Sequence, residues 1–514
     1  MGGRFRLAEV VAVLAMATDL GLGLPMEHAV RACLLGTEIG RRAGLGREDL
    51  GDLYYLTLLR MLGCTVDSGY YADLFGDEVT FARDTQDLDY GDADGFGRWV
   101  MESFAAGRPA DERQRMIGKL FSYTPELRRA GLAGHCEVAR MLASRLGLAG
   151  AVADGLGYVF ERWDGTGVPD GAAGEALPLA VRVMSLANEL EVHHRLGGQG
   201  AAVVMARKRS GGAFDPAVVE LFCADPDGIL AVIGRPSLWE DLLAAEPGPH
   251  RVIGADGLIE AGRVMGDFAD QKSAFFAGHS AQVADLAVSA AVRLGLAGAE
   301  QQALRFAALA HDLGRVAIST AIWDKPGRLT DGEWESVRLH AYYGERMLRK
   351  VPALAEAAQL AGAHHERCDG SGYHRGSRAQ PVLSCLLAAA DAYVAMRNAR
   401  AWRPAPLDPG QAGAELRALG NEGRLEPAAV NAVFAAAGDT GPRVRRAWPA
   451  GLTDREVDVL RRIAAGDSIQ QAAAALSVAP KTVDFHLQNI YAKAAVTTRA
   501  GAALFAVQND LLPS

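Results

Sequence analysis

The sequence predicts an all-α protein, built as two tandem helical bundles followed by a small helical module. Three observations carry this. Apolar residues recur at helical spacing, strand-like alternation is nearly absent, and the chain repeats itself. Residues 7–63 overlay 258–314 without a gap, at an offset of 251. Glu9 then falls on Glu260, Asp19 on Asp270, His28 on His279, and Leu62-Gly63 on Leu313-Gly314. A second block aligns at an offset of 205, placing His135 on His340 and Glu161-Arg162-x-Asp164-Gly165-x-Gly167 on Glu366-Arg367-x-Asp369-Gly370-x-Gly372. Further on, Pro178 meets Pro381 and Asn188 meets Asp391.

The repeat sets the expected domains: 1–245, 250–437, a linker at 438–450, and a last module at 451–514. At 514 residues, several cores are needed. Each element follows in order. The N-terminal stretch Val10–Met16 after Arg4 and Arg6 imitates a signal peptide, but Glu9 and Asp19 interrupt it, and the repeat explains it as a helix. The first bundle has about 46 more residues between its halves than the second. That acidic insert, around 67–125 with Gly-Asp-Ala-Asp-Gly, reads as a partly ordered loop region. In the second bundle, Ser280–Leu294 places Val283, Leu286, Ala287, Ala290 and Ala291 on one helical stripe. Leu304–Leu313 and Val337–Leu348 read likewise, and Asp369-Gly370-Ser371-Gly372 marks a loop.

Composition excludes several classes. The net charge is −9, so nucleic acid is not coated along the whole chain. The six cysteines form no C-x-x-C pair, which argues against a disulfide framework or a cysteine zinc site and for a reducing cytoplasm. No uncharged apolar run reaches 18 residues, so no membrane partner is expected.

The second bundle concentrates metal-ligand chemistry. His279, the pair His311-Asp312, His340, the pair His364-His365 and Asp391 fall at corresponding ends of its elements. Successive helical residues diverge by about 100°, so adjacent ligands can serve neighbouring metals. Carboxylates beside imidazoles suit two or three divalent ions of Fe, Mn or Zn class, which can polarise a phosphoryl oxygen.

These residues carry a family resemblance. His279, ALAHDLGRVAIS at 308–319, His340, AHHERCDGSGYHRG at 363–376 and AAADAYVAM at 388–396 resemble the HD-GYP subgroup of HD-domain metal-dependent phosphohydrolases. The resemblance implies an all-α bundle around a two- or three-metal centre that hydrolyses a cyclic dinucleotide, typically cyclic di-GMP, or another phosphorylated small molecule. It implies that His279, His311, Asp312, His340, His364, His365 and Asp391 are ligands, with Asp312 bridging and Asp312 and Arg315 catalytic. Two positions depart. Arg315 stands where the family has lysine, and keeps the charge. His374 stands where Gly-Tyr-Pro has its proline, and its loss is expected to loosen the loop. In the first bundle the HD pair is Arg60-Met61, the double histidine Val159-Phe160 and the last aspartate Asn188. That copy reads as catalytically dead, kept for packing, dimerisation or ligand sensing.

The last module opens with two capping boxes, Thr453-x-x-Glu456 and Ser468-x-x-Gln471, after a basic linker with Arg443, Arg445 and Arg446. Pro480 starts a third helix over 480–494. Val483, Leu487, Ile490, Tyr491 and Ala494 form its buried stripe, and Lys481, Thr482, Phe485, Gln488, Asn489 and Lys493 its other face. Lys481-Thr482-Val483-x-x-His486 and Ile490-Tyr491-x-Lys493 resemble the LuxR-type helix-turn-helix. This implies that the six outward residues meet promoter DNA. With six basic and six acidic side chains over 451–514 the phosphate attraction is modest, so a homodimer or the arginine linker is expected to assist. The combined expectation is a bacterial transcriptional regulator carrying a phosphohydrolase. An alternative stays open, in which the second bundle only senses a nucleotide or metal and controls DNA binding.

Overall fold

The computed structural model describes residues 5–122, 124–235, 237–438, 448–509 and 511–512. The basic linker residues Arg443, Arg445 and Arg446 lie outside them. Two compact units form: Arg6–Val252, and the described residues from Ile253 onward with Phe5. Both are helical. The only strands among the described residues are Phe5–Arg6 and Val252–Ile253. No helix among the described residues is long and apolar enough to cross a membrane.

In the first unit the Leu7–Gly21 helix is sheathed on all sides, with Val10 to Ala17 no more than 1% exposed. This is the segment that imitated a leader; it is a core helix, apolar all round. His28–Arg42, Arg47–Leu59, Pro125–Arg145 and Leu179–Arg209 are the other principal helices of this core, the last interrupted at Gly198. The insert corrects the expectation of a partly ordered loop. It folds into helices Ser68–Phe75, Glu78–Asp84, Ala93–Glu102 and Ala110–Phe121. Asp77 and Asp92 cap two of them, so the acidic Gly-Asp-Ala-Asp-Gly stretch starts a helix. Phe75 and Phe81 stack at 3.6 Å, with Trp99 and Phe104 beside them, and this aromatic cluster is the insert's own core.

In the second unit the helices Ala255–Asp270, His279–Arg293, Gly298–Ala310, Asp331–Leu348, Ala355–Gly362 and Val382–Arg397 surround the candidate centre. Alanines do the close packing. Ala284, Ala287, Ala290 and Ala291 of one helix and Ala303, Ala307, Ala308 and Ala310 of the next are buried, so these helices approach closely. Asp270 fixes where His279 begins its helix, its carboxylate accepting from the Ser280 backbone and hydroxyl at 2.8 Å. Asp19 does the same for the His28 helix, accepting from the Ala29 nitrogen.

The C-terminal module has the three expected helices, Asp454–Ala464, Ile469–Ala475 and Pro480–Ala494, followed by a fourth, Arg499–Gln508. Both capping boxes form, and Ala479 caps nothing with its side chain.

Candidate metal centre

The two adjacent pairs sit at helix ends rather than within helices, which corrects the geometric reason given above. His311 is the first residue past Gly298–Ala310, and Asp312 opens the short 3₁₀ turn Leu313–Ala317. His364 and His365 follow the end of Ala355–Gly362. The backbone turn therefore aims each pair inward. Three imidazoles are oriented alike. The Nδ1 atoms of His311, His340 and His364 bond the carbonyls of Ala308, Val337 and Ala361, three residues back, which leaves each Nε2 facing the centre.

Two donor sets result: His279, His311 and Asp312, and His340, His364 and His365, each within 4.8 Å. Asp312 belongs to the first and also faces the second. Its Oδ1 lies 3.4 Å from His340 Nε2 and 3.5 Å from His364 Nε2, while its Oδ2 lies 2.9 Å from His311 Nε2 and 3.6 Å from His279 Nε2. Asp391 closes the far side, with Oδ1 at 3.1 Å from His279 and Oδ2 at 3.8 Å from His365 Nδ1. His311 Nε2 and both Asp312 oxygens are buried with no well-aligned hydrogen bond among the described residues, their close neighbours being the other donors and the ion-paired Arg315. Buried polar atoms are ordinarily satisfied, so these three fit the coordination of a divalent cation.

Electrostatics agree with the donor chemistry. Burial pushes His279 down to about 4 and His340 down to about 3, and it also holds His365 well below its usual range. Burial alone would raise Asp312 and Asp391. Arg315 and His311 outweigh it for Asp312, and His279 and His365 for Asp391, so both stay well below the carboxylate range. His311 is the exception: burial would lower it, but the Asp312 carboxylate lifts it to about 9. Neutral imidazoles and ionised carboxylates are the forms that bind metal.

Two guanidiniums flank this centre. Arg315 is ion-paired with Asp312, lies 3.8 Å over the Phe276 ring, and has Nε and Nη1 buried without hydrogen-bond partners. Arg400 was missed from the sequence. It is 8% exposed, bonds the Phe275 carbonyl, shares the Phe276 ring at 5.3 Å and reaches within 3.5 Å of His279 Nδ1. Burial first, and Arg315 second, push it down to about 10. Following the repeat beyond Asp391 would have flagged it, since the offset of 203 that pairs Asn188 with Asp391 places Gly197 opposite.

The HD-domain family pattern matches residues 120–218 and 263–428, more than half of the chain. The chain belongs to the HD-domain family. A 3'3'-cGAMP-specific phosphodiesterase of Vibrio cholerae is 30% identical over 79% of this chain and 89% of its own length. A cyclic di-GMP phosphodiesterase of Thermotoga maritima is 37% identical over 25% of this chain and 37% of its own. The solved structure of a cyclic GMP-AMP specific phosphodiesterase from V. cholerae superposes with a TM-score of 0.59 at 26% identity, covering 85% of this chain and 99% of that one. The pattern of the luxR family of bacterial regulatory proteins matches residues 450–506. The HD-domain chain is thus a metal-dependent phosphohydrolase joined to a LuxR-type domain.

The first unit of this HD-domain protein has the same positions and different chemistry. His28 is held by Glu191 through Nδ1 and by Asn188 at 3.0 Å through Nε2. Arg60 points Nη1 at the same Asn188 oxygen, 3.3 Å away. His135 packs on Phe160 at 4.8 Å and is pushed by burial down to about 4. Side-chain hydrogen bonds fill the space that donors surround in the second unit, and no metal-donor group forms there among the described residues.

On the LuxR-type module, Lys481 and Gln488 are exposed, Thr482 and Asn489 half-buried, and Phe485 is 62% exposed. Lys493 is exposed as expected, but its ammonium already has a partner within the module. Its Nζ bonds both Glu456 oxygens, at 2.7 and 2.9 Å, and the Gly451 carbonyl. The stronger local partner wins: Glu456 is 3% exposed, and its buried carboxylate needs a cation.

Proposed function

We propose that the second unit hydrolyses a cyclic dinucleotide, and that the LuxR-type module binds promoter DNA in the same chain. The observation that carries the first part is the placement of Asp312, whose two oxygens face separate donor sets. His279, His311, Asp312, His340, His364, His365 and Asp391 would hold two or three divalent ions of Fe, Mn or Zn class. Bound metal supplies Lewis-acid chemistry at a phosphoryl oxygen and activates water near neutral pH. The chain's own residues do the rest. Asp312 keeps the two sets in register. Arg315 and Arg400 present two desolvated cations on one aromatic ring, an arrangement that favours a phosphate oxygen, which offsets their mutual repulsion.

The relatives act on 3'3'-cGAMP or cyclic di-GMP, which supports that substrate class. The test is elemental analysis of the purified full chain, with hydrolysis of both nucleotides followed by chromatography. At least two metal ions per chain and turnover of one nucleotide are expected. Metal-loaded protein that binds a cyclic dinucleotide without cleaving it would establish the sensor reading instead.

The DNA reading has its own test. Lys481→Ala should weaken binding to all sequences alike and lower the salt slope by about one, the signature of a phosphate contact. Gln488→Ala and Asn489→Ala should instead shift sequence preference, since their place on the helix matches base-edge readers. Lys493→Ala should lower the module's stability by leaving the buried Glu456 carboxylate with only its Thr453 hydrogen bonds and no cation, a different outcome from loss of a phosphate contact. Titrations against a promoter library at two salt concentrations separate these effects.

A further inference from the structure

The chain contains the same loop twice, with one backbone pattern and five side-chain differences between 161–171 and 366–376. In the first unit the Val168 nitrogen bonds the Phe160 carbonyl at 3.2 Å; in the second the Tyr373 nitrogen bonds the His365 carbonyl at 3.1 Å. Glu161 accepts from the nitrogens of Asp170 and Gly171, and Glu366 from those of Arg375 and Ser377. Gly167 and Gly372 both press on the backbone preceding them, leaving no room for a Cβ. After these glycines the copies part: Val168-Pro169 in one, Tyr373-His374 in the other.

The partner position changes with it. The offset of 205 places Arg140 opposite Glu345. Arg140 turns away to Asp154, at 3.2 Å. Glu345 instead faces the loop. Its carboxylate takes His374 Nε2 at 3.1 Å, pairs with Arg375, and reaches Arg349 at 3.3 Å. It is 3% exposed, and His374 leans edge-on against Tyr342 at 5.8 Å. Space is reserved for it. A Cβ on Gly362 would lie 2.9 Å from Glu345 Cβ and closer still to its carboxylate. The loop that lost a proline is therefore pinned rather than loosened, which corrects the expectation drawn from the sequence.

What the pin holds is Tyr373. Its ring lies 4.7 Å from that of His365 and 6.1 Å from that of His340, two of the proposed ligands. Proline would restrict the backbone directly. A histidine has no such restraint, so the loop must be fixed from outside, and a buried charge-assisted contact can do that.

We propose that His374 is a positioning residue: anchored by Glu345, it takes over from proline in fixing Tyr373 against the metal-site histidines, and so sets affinity for the substrate. The substrate part rests on the phosphodiesterase reading above; the positioning part does not. Two readouts on the metal-loaded full chain keep them apart. The first is hydrogen exchange of the peptide spanning 366–377. His374→Ala and Glu345→Ala should each speed exchange at the Tyr373 amide about tenfold, the loss expected for one charge-assisted hydrogen bond. His374→Pro should restore slow exchange, and adding Glu345→Ala to it should then have a smaller effect than Glu345→Ala alone, the remainder being the Arg375 ion pair. The second is hydrolysis of 3'3'-cGAMP or cyclic di-GMP, where the alanine variants should raise KM about tenfold with kcat nearly constant. Metal content should stay at the wild-type value throughout. Unchanged exchange in His374→Ala, or a Glu345→Ala effect undiminished in the His374→Pro background, overturns the proposal. A wild type without turnover, but with the exchange pattern intact, removes only the phosphodiesterase reading.

Discussion

Asp312→Ala should empty both donor sets at once and lower hydrolysis by about three orders of magnitude, the scale on which a preorganised electrostatic contact acts. The reason is that one carboxylate serves two sets. Its Oδ1 faces His340 and His364, and its Oδ2 faces His279 and His311. A single ligand lost from one set, as in His365→Ala, leaves the other set complete and should keep part of the metal. Asp312→Ala also strips Arg315, itself 6% exposed, of its ion-pair partner. A buried cation without a partner costs about 3–5 kcal/mol, so the apoprotein should melt earlier than the His365→Ala apoprotein. Elemental analysis, turnover and thermal denaturation are the three measurements. Wild-type metal content in Asp312→Ala would remove the bridging role and with it the proposed chemistry.

Much of this centre was legible in the sequence, because the two copies act as controls for each other. Where His311-Asp312 stands against Arg60-Met61, and His364-His365 against Val159-Phe160, the contrast singles out donors from packing residues. The helices were legible for the same reason that alanine-rich stripes are: their period is local. Three things were not. The insert hid its order because its core is aromatic and short-range, built from Phe75, Phe81, Trp99 and Phe104 across four brief helices without a long apolar stripe. Arg400 lies outside any regular element, three residues past the helix that carries Asp391, so only the fold brings it to Phe276. Lys493 fits the outward face by periodicity, yet its long side chain reaches back to Glu456, 37 positions earlier. Helical phase assigns a Cβ direction and not where a flexible cation ends.

The second large effect is at a glycine that the repeat had already paired. Gly314 lies two residues after Asp312, where the 3₁₀ turn crosses the Asp331–Leu348 helix. A Cβ there would sit 2.6 Å from the Gly344 nitrogen and closer still to the His340 carbonyl oxygen. Both obstacles are backbone, so no side-chain rotation relieves them. Gly63 meets the same obstacle in the first unit, 2.8 Å from the His135 carbonyl carbon and closer to its oxygen. The repeat kept this glycine in both copies although only one retains the donors, so its role is to let the turn touch the helix. Gly314→Ala should therefore force the His311-Asp312 turn away from His340. The expected cost is about 3 kcal/mol, the upper end of ordinary overpacking. Metal content should fall with it, because His340 and Asp312 stand only 3.4 Å apart and the displacement acts between them. Gly63→Ala should destabilise to a similar degree and leave metal content untouched. The pair separates the two consequences of one contact, read by thermal denaturation and elemental analysis on the full chain. Loss of metal in Gly63→Ala, or full metal in a destabilised Gly314→Ala, would show that the close approach does not set the spacing of the donors.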